Sequence, residues 1–466
     1  MPLDFTQPPP RPRTLEEAFA LLLELWREVV RLQQRIVTLE AQLRQNSQNS
    51  SRPPSSDPPQ VARLPKRPPS GRSPGGQPGH EGHGRELLPM EEVKKVVVLK
   101  PRRCERCGRG LSGEDPAPRR HQVSELPRVR ARVTEYRLHT LSCPCGAQTT
   151  AQLPQGVARS AFGPRLQGTV ALCTGLYRLS KRTTRELLRD LFGVELSLGS
   201  VSACERVTSA ALAVPVEKAR ACVQRARVAN ADETGWREAR EKAWLWVAVA
   251  KRATVFLVHA RRGEEGARAL LGKFAGFLVT DRWGAYNPWK RRQICWAHLL
   301  RHFTAFSEER GESARIGTDL LVEAGVMFEW WDQVREGRLS RRAFRRRMAP
   351  LRRRVEALLR EGAVCEPRAT AGRCQEILKL APALWTFVDV EGVEPTNNAA
   401  ERAIRPAVLW RKGSFGTHSA GGSRFVERIL TVAATLRQRG RNVVEFVTRA
   451  CEAALRGQPA PSLLRA

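Results

Sequence analysis

No apolar run in this 466-residue chain approaches the ~20 residues that a membrane-spanning helix needs, and its first residues lack the apolar region of a secretion signal. These absences disfavour a membrane-embedded or exported protein and lead to the expectation of a cytoplasmic one. Acid is scarce: Asp and Glu number 47 against 79 Lys and Arg, a formal net charge of +32 with a pI near 11.0. Such a charge draws a chain to polyanions and makes binding salt-dependent. The 11 cysteines are odd in number and scattered, so no disulfide framework is expected; in a reducing compartment they are metal ligands or buried thiols. The length exceeds what one hydrophobic core supports, so several domains are expected.

The first segment, 1–45, carries a heptad. Leu15, Leu22, Val29, Ile36 and Leu43 fall at a, and Ala18, Leu25, Leu32 and Leu39 at d. β-Branched residues at a with Leu at d favour a parallel coiled-coil dimer. Thr14 is placed to cap this helix, with Glu16 and Glu17 complementing the dipole of its first turn. Residues 46–92 hold almost no apolar material and are rich in Pro, Ser and Gly, the composition of a disordered basic linker. His80 and His83 lie in it as solvated residues.

Two cysteine pairs follow in 93–155, Cys104 with Cys107 and Cys143 with Cys145, each trailed by Gly. Joined by an alternating stretch at 128–141, they read as a zinc-ribbon-like module holding one structural Zn²⁺ on four thiolates. The second pair is tighter than the usual spacing, and His121 or His139 could replace one thiolate. In 156–225 the period is helical. Leu187, Leu188 and Leu191 line one helix ending at Gly193, Ser197 caps the next, and Val201, Cys204 and Val207 line that one. A helix-turn-helix is expected, with Arg182, Ser200 and Arg206 toward DNA.

Residues 226–298 change rhythm to three strands, a helix and further strands. Three antiparallel strands, a crossover and a strand parallel to the first give a ribonuclease-H-like sheet, in which the ends of the first and fourth strands are neighbours. Those ends carry Asp232 and Asp281. An all-helical insertion spans 299–392, and 393–466 returns to the core with Glu401 on a helix capped by Thr396. A basic loop with Arg411 and Lys412, suited to backbone phosphates, and two closing helices complete the chain. The expected fold is thus multidomain α/β: a ribonuclease-H-like catalytic core with an all-helical insertion, preceded by coiled coil, zinc ribbon and helix-turn-helix. Three acids so placed suit two Mg²⁺ (or Mn²⁺) ions, which take hard oxygen ligands and leave room for phosphate oxygens. A register slip of one residue would put Glu233 in place of Asp232.

The ordered set QNSQNSSRPPSSD, PGGQPGHEGH, the cysteine knuckles, ADETGWR, VTDRWGAY, CWAHLLRHF, PTNNAAERAIRP and RKGSFGTHSAGG resembles insertion-sequence transposases of family sixty-six, in the large catalytic reading frame. The resemblance implies a DDE triad on Asp232, Asp281 and Glu401, with Cys295 and His298 as the C-x₂-H signature beside it, packing or orienting rather than binding metal. It also implies cleavage at transposon ends, joining of the freed 3′-OH to target DNA, and small accessory proteins of the same element. The coiled coil then makes the protein at least a homodimer, acting on double-stranded DNA in the bacterial nucleoid.

Overall fold

The computed structural model describes residues 12, 14–50, 57 and 86–465. Most of the expected linker, with His80 and His83, lies outside the described residues.

Helix α1 (Leu15–Arg44) begins where Thr14 Oγ1 accepts the Glu17 N–H at 3.1 Å, the expected cap. Its seam is solvent-facing: Leu22, Val29, Ile36 and Leu39 are each about half exposed or more. The residues after it differ from a free linker. Residues 46–50 form a turn in which Asn49 is buried and its Nδ2 donates to Glu308 Oε2 (2.7 Å), while the Ser47 N–H donates to Asp57 Oδ1 (2.7 Å). The side-chain amide supplies what the composition does not, a specific polar anchor.

The cysteine module is almost wholly exposed. Its only ladder among the described residues is β1 (Thr140–Ser142) against β2 (Gln148–Thr150). The alternating residues 128–139 form no strand, contrary to expectation: single bonds from the Ala131 N–H to the Phe192 carbonyl and from the Ala151 N–H to the His139 carbonyl do not make a ladder, and neither face is covered.

Four helices precede the sheet: α2 (Pro164–Gly175), α3 (Lys181–Phe192), α4 (Leu198–Ala211) and α5 (Ala213–Gln224). The Ser180 and Ser197 hydroxyls cap α3 and α4, and Gly193 closes α3 with φ of 67°. Leu188, Val201 and Cys204 are buried as the period requires. Leu191 and Val207 are not: both are about half exposed, and Thr208 is buried in place of Val207, where the Cys451 thiol donates to its hydroxyl.

The sheet holds β3 (Val228–Glu238), β4 (Glu241–Ala250), β5 (Ala253–His259), β6 (Phe277–Thr280) and β7 (Arg292–Ile294), in spatial order β5-β4-β3-β6-β7. The first three are antiparallel; β6 and β7 run parallel to β3, with α6 (Glu264–Leu271) in the crossover. This is the strand order expected from the sequence. β3 runs on past Asp232, which was expected at its end: Thr234 and Gly235 pair with Leu245 and Trp244, and the hairpin turns at Ala239 and Arg240, both at positive φ.

After β7, α7 (Trp296–Ser307), α8 (Glu312–Arg335), α9 (Arg341–Gly362) and α10 (Arg368–Leu378) build a second core on Phe303, Ile316, Leu320, Met327, Phe344 and Leu351. Two short helices, α11 (Ala381–Leu384) and α12 (Thr386–Asp389), lead back to the sheet. Helix α13 (Asn398–Ser414) runs through the expected basic loop as far as Ser414. Gly416 then lies against β3, where a Cβ would sit 2.2 Å from the Arg237 carbonyl oxygen, so the close approach requires glycine.

Helix α14 (Ala420–Gln438) covers the sheet edge. The outward N–H groups of Thr254, Phe256 and Val258 on β5 donate to Thr435 Oγ1, Thr431 Oγ1 and Glu427 Oε1. Side chains at four-residue helical spacing thus satisfy an edge that would otherwise invite pairing with another chain. Helix α15 (Val443–Leu455), capped by Asn442, completes the layer. No helix among the described residues is long and apolar enough to cross a membrane.

Candidate active site

Backbone register brings Asp232 and Asp281 together. In the parallel β3–β6 pair, Val228, Ala229 and Asn230 face Phe277, Leu278 and Val279. Each aspartate lies two residues beyond the last pair, so both carboxylates leave the same face at the same level of strands spaced about 4.8 Å apart. The row continues into β7, where the Cys295 N–H donates to the Thr280 carbonyl (2.8 Å). Alternation turns Glu233 to the other face. There its Oε1 accepts from Arg262 Nε (3.1 Å) and its Oε2 from Tyr286 Oη (2.7 Å), and its side chain is only 1% exposed.

Glu401 arrives in the first turn of α13, and Asn397 decides where that turn sits. Asn397 is buried; its Nδ2 donates to the Ala231 carbonyl (2.8 Å), its Oδ1 accepts from Asn230 Nδ2 (3.1 Å), and its N–H donates to Cys295 Sγ (3.1 Å). The Asn397 carbonyl in turn accepts the Glu401 N–H (3.1 Å). One residue therefore ties α13 to β3 through its side chain and to Cys295, just past β7, through its N–H, and it is Asn397, not Thr396, that precedes the helix, its amide spent on β3 rather than on the cap. Composition and period gave no sign of this; the one available signal was the Asn-Asn pair before the acid.

The electrostatics follow from that packing. Burial pushes the Asp232 carboxyl well above its ordinary range, and the negative charges of Glu233, Asp281 and Glu401 push it further. Among the described residues no Lys or Arg forms an ion pair with Asp232, Asp281 or Glu401; the nearest partner is His298, whose Nδ1 is 3.7 Å from Glu401 Oε1. Burial and Arg301 lower the His298 pKa, so the ring supplies little positive charge near neutrality. Both facing atoms lack a hydrogen bond although buried. Arg282 and Arg292 feel the Asp281 charge without pairing with its carboxylate. Acids left without an ion-paired Lys or Arg, one of them with an unpaired buried oxygen, are a donor set suited to hard divalent ions such as Mg²⁺ or Mn²⁺.

Cys295 Sγ, a His298 ring nitrogen and a Glu401 oxygen lie within 4.8 Å of one another, the only such group of three among the described residues. The Cys295 thiol is pushed up to about 11 by burial and already accepts the Asn397 N–H. The Asn397 N–H on its sulfur builds Cys295 into the packing between β7 and α13, the part the sequence assigns to it beside His298.

The zinc-site cysteines are not gathered in this way. Cys104 and Cys107 form one knuckle, in which backbone N–H groups of Cys107 and Arg106 hold the Cys104 thiol below its ordinary value. Cys143 and Cys145 form another, in which the Ala147 N–H acts likewise on Cys145. No three of the four thiols cluster. Of the residues expected at DNA, Arg182, Arg206 and Lys412 are exposed. Ser200 shares a hydrogen bond with Ser197 (3.0 Å), and on the same helix Ser202 and Glu205 are engaged by Lys181. Arg411 is turned inward: its Nη1 donates to Thr234 Oγ1 (3.2 Å) and to the Gly235 carbonyl (2.9 Å), fixing α13 on β3.

The family model described as "Transposase IS66 family" matches residues 159–424, more than half of the chain and all of the sheet. A family of unknown function matches residues 7–86. The uncharacterized protein y4qI of Sinorhizobium fredii is 25% identical over an alignment of 249 residues that covers 48% of this chain and 46% of that relative. The chain thus spans about half the length of the curated relative it matches.

Proposed function

The chain belongs to the IS66 transposase family, and from that premise we propose that it is a DDE transposase with a ribonuclease-H-like core, cutting the phosphodiester at transposon ends and joining the freed 3′-OH to target DNA. The observation that carries this reading is the level placement of Asp232 and Asp281 on adjoining parallel strands, with the Glu401 charge acting on Asp232 and, among the described residues, no Lys or Arg in an ion pair with any of the three. When bound, two Mg²⁺ or Mn²⁺ ions stabilise the attacking and leaving oxygens of an in-line displacement.

The protein's own part is positional. Asp232 and Asp281 supply oxygens from a rigid sheet, and Glu401 supplies one from a helix whose first turn is pinned by Asn397. Cys295 and His298 pack behind Glu401 and orient it. Glu233, held by Arg262 and Tyr286, supports the strand and is not one of the three acids. Arg182, Ser200, Arg206 and Lys412 are assigned to DNA, and Arg411 to the fold. The two knuckles close around one structural Zn²⁺ in the presence of the metal, and the exposed α1 seam pairs two copies so that two ends are held together. Small accessory proteins of the same element complete the reaction, and the setting is the bacterial cytoplasm at the nucleoid.

The test is a Mg²⁺-dependent assay on duplex carrying the inverted repeat that flanks the gene. The wild-type chain cuts and joins, and Asp281→Ala binds the end but does neither. Cutting by Asp281→Ala would remove Asp281 from the set, and cutting without joining by the wild type would make the protein a nuclease.

A further inference from the structure

At the opposite pole of the sheet from the three acids lies a cavity of about 540 Å³. Three connections wall it: α5 to β3, with Arg225 and Arg227; α6 to β6, with Lys273 and Gly276; and the stretch entering β7, with Arg291. Four cations line it and no carboxylate does. None of the four forms an ion pair among the described residues, in a chain whose other arginines commonly do, as Arg354 does with Glu323 and Arg262 with Glu233.

The frame carrying these charges is fixed. The Phe277 N–H donates to the Arg227 carbonyl (2.8 Å) and the Leu278 N–H to the Arg291 carbonyl (2.9 Å). At Gly276 a Cβ would sit 2.5 Å from the carbonyl oxygens of both Ala226 and Arg227, so only glycine lets the two loops close on each other. Arg291 is held by a bond to the Ala275 carbonyl (3.3 Å) and lies over the Phe277 ring. Like charges gathered without counter-charge on a rigid frame repel one another, and the arrangement suits an anion that arrives from outside.

We propose that this cavity binds phosphate groups of a nucleic-acid backbone, gripping a DNA segment other than the one whose phosphodiester lies at Asp232 and Asp281. Val228 and Asp232 are separated by four residues of strand, so the cations stand on the order of 13 Å or more from the carboxylates, facing away from them. The contact is to backbone alone, since Arg and Lys on loops with no element poised for a groove carry no base readout. The choice of DNA over a free polyphosphate rests on the transposase reading; the phosphate chemistry does not.

The test is a double charge reversal, Arg227→Glu with Lys273→Glu, at two exposed positions outside the core. Binding of a labelled duplex of arbitrary sequence is followed against salt by anisotropy. The slope of log affinity against log salt should fall by about 2, one unit for each lost phosphate contact. Cleavage of a short end duplex should persist, while joining to a separate target duplex drops by at least about tenfold. An unchanged slope with unchanged joining overturns the proposal, as does loss of short-end cleavage together with joining, because the cavity would then not be a separate site. Pyrophosphate binding that the reversal abolishes, with the duplex slope unchanged, assigns the phosphate site to a free polyphosphate and overturns the DNA assignment. A wild-type chain that binds duplex with the full slope but never cuts leaves this site standing and removes the transposase reading instead.

Discussion

Asp232 and Asp281 each lie two residues beyond the Asn230–Val279 register pair, so two carboxylates almost fifty positions apart in sequence leave one sheet face at one level. The charges of Asp281 and Glu401 both act on the buried Asp232 carboxyl, and no Lys or Arg among the described residues forms an ion pair with any of the three, so the metal-free protein meets unfavourable electrostatics at this point.

Metal binding should therefore stabilise the fold. At a free ion concentration near 100 times its dissociation constant, Mg²⁺ or Mn²⁺ adds about 2.7 kcal/mol, or several degrees of Tm. Asp232→Asn should raise the metal-free Tm, because a buried, repelled carboxyl is removed, and should abolish the metal-induced rise. Thermal scans with and without Mn²⁺ check both, and an Asp232→Asn protein that still gains the full shift would place the ions elsewhere.

Asn397 should matter through Glu401. Asn397→Ala leaves the Ala231 carbonyl and the Asn230 amide without partners, at a cost of about 2–3 kcal/mol. Asn397→Asp keeps the size but sets an oxygen against the Ala231 carbonyl, and should cost at least as much. In urea titrations and cleavage assays both variants should lose cleavage rate beyond what their folded fraction explains. Full activity per folded molecule would make Asn397 a packing residue only.

His302 predicts an acid limit. Burial, with Arg282 and Arg373 nearby, pushes its pKa down to about 3, and its Nε2 accepts from Arg282. As pH falls through the ordinary value near 6.5, the unfolded chain takes a proton that the native chain refuses. Stability should drop by on the order of a few kcal/mol between about pH 6.5 and 3 on this account. His302→Gln should flatten that part of the curve, measured as denaturation midpoint against pH.

The α1 seam should report on assembly. Leu25→Glu with Leu32→Glu charges two d positions and should lower the mass seen by light scattering to that of a single chain, leaving metal-induced stabilisation of the sheet intact. An unchanged mass would place the association on another surface.

Zinc should order the cysteine module. Adding Zn²⁺ to metal-free protein should bind one equivalent and release protons, and Cys107→Ser with Cys145→Ser should remove both effects. Stoichiometry by thiol-competition titration checks this, and retained binding by the double variant would point to other ligands.

Much of the fold was legible locally. Thr14, Ser180, Ser197 and Asn442 cap helices because a hydroxyl or amide reaches the free N–H groups three residues on. The strand order followed from alternating runs and one crossover helix, and that order put Asp232 beside Asp281. What tertiary structure decided are contacts with no period in the sequence. Asn397 reaches Ala231 across 166 residues, α14 closes the β5 edge with Thr431 and Thr435, and Arg411 turns to Gly235 rather than outward. Hydrogen bonds of that span are chosen by how layers stack, after local propensity has been spent, and the Glu401 charge bears on Asp232 only because that stacking sets α13 where it is.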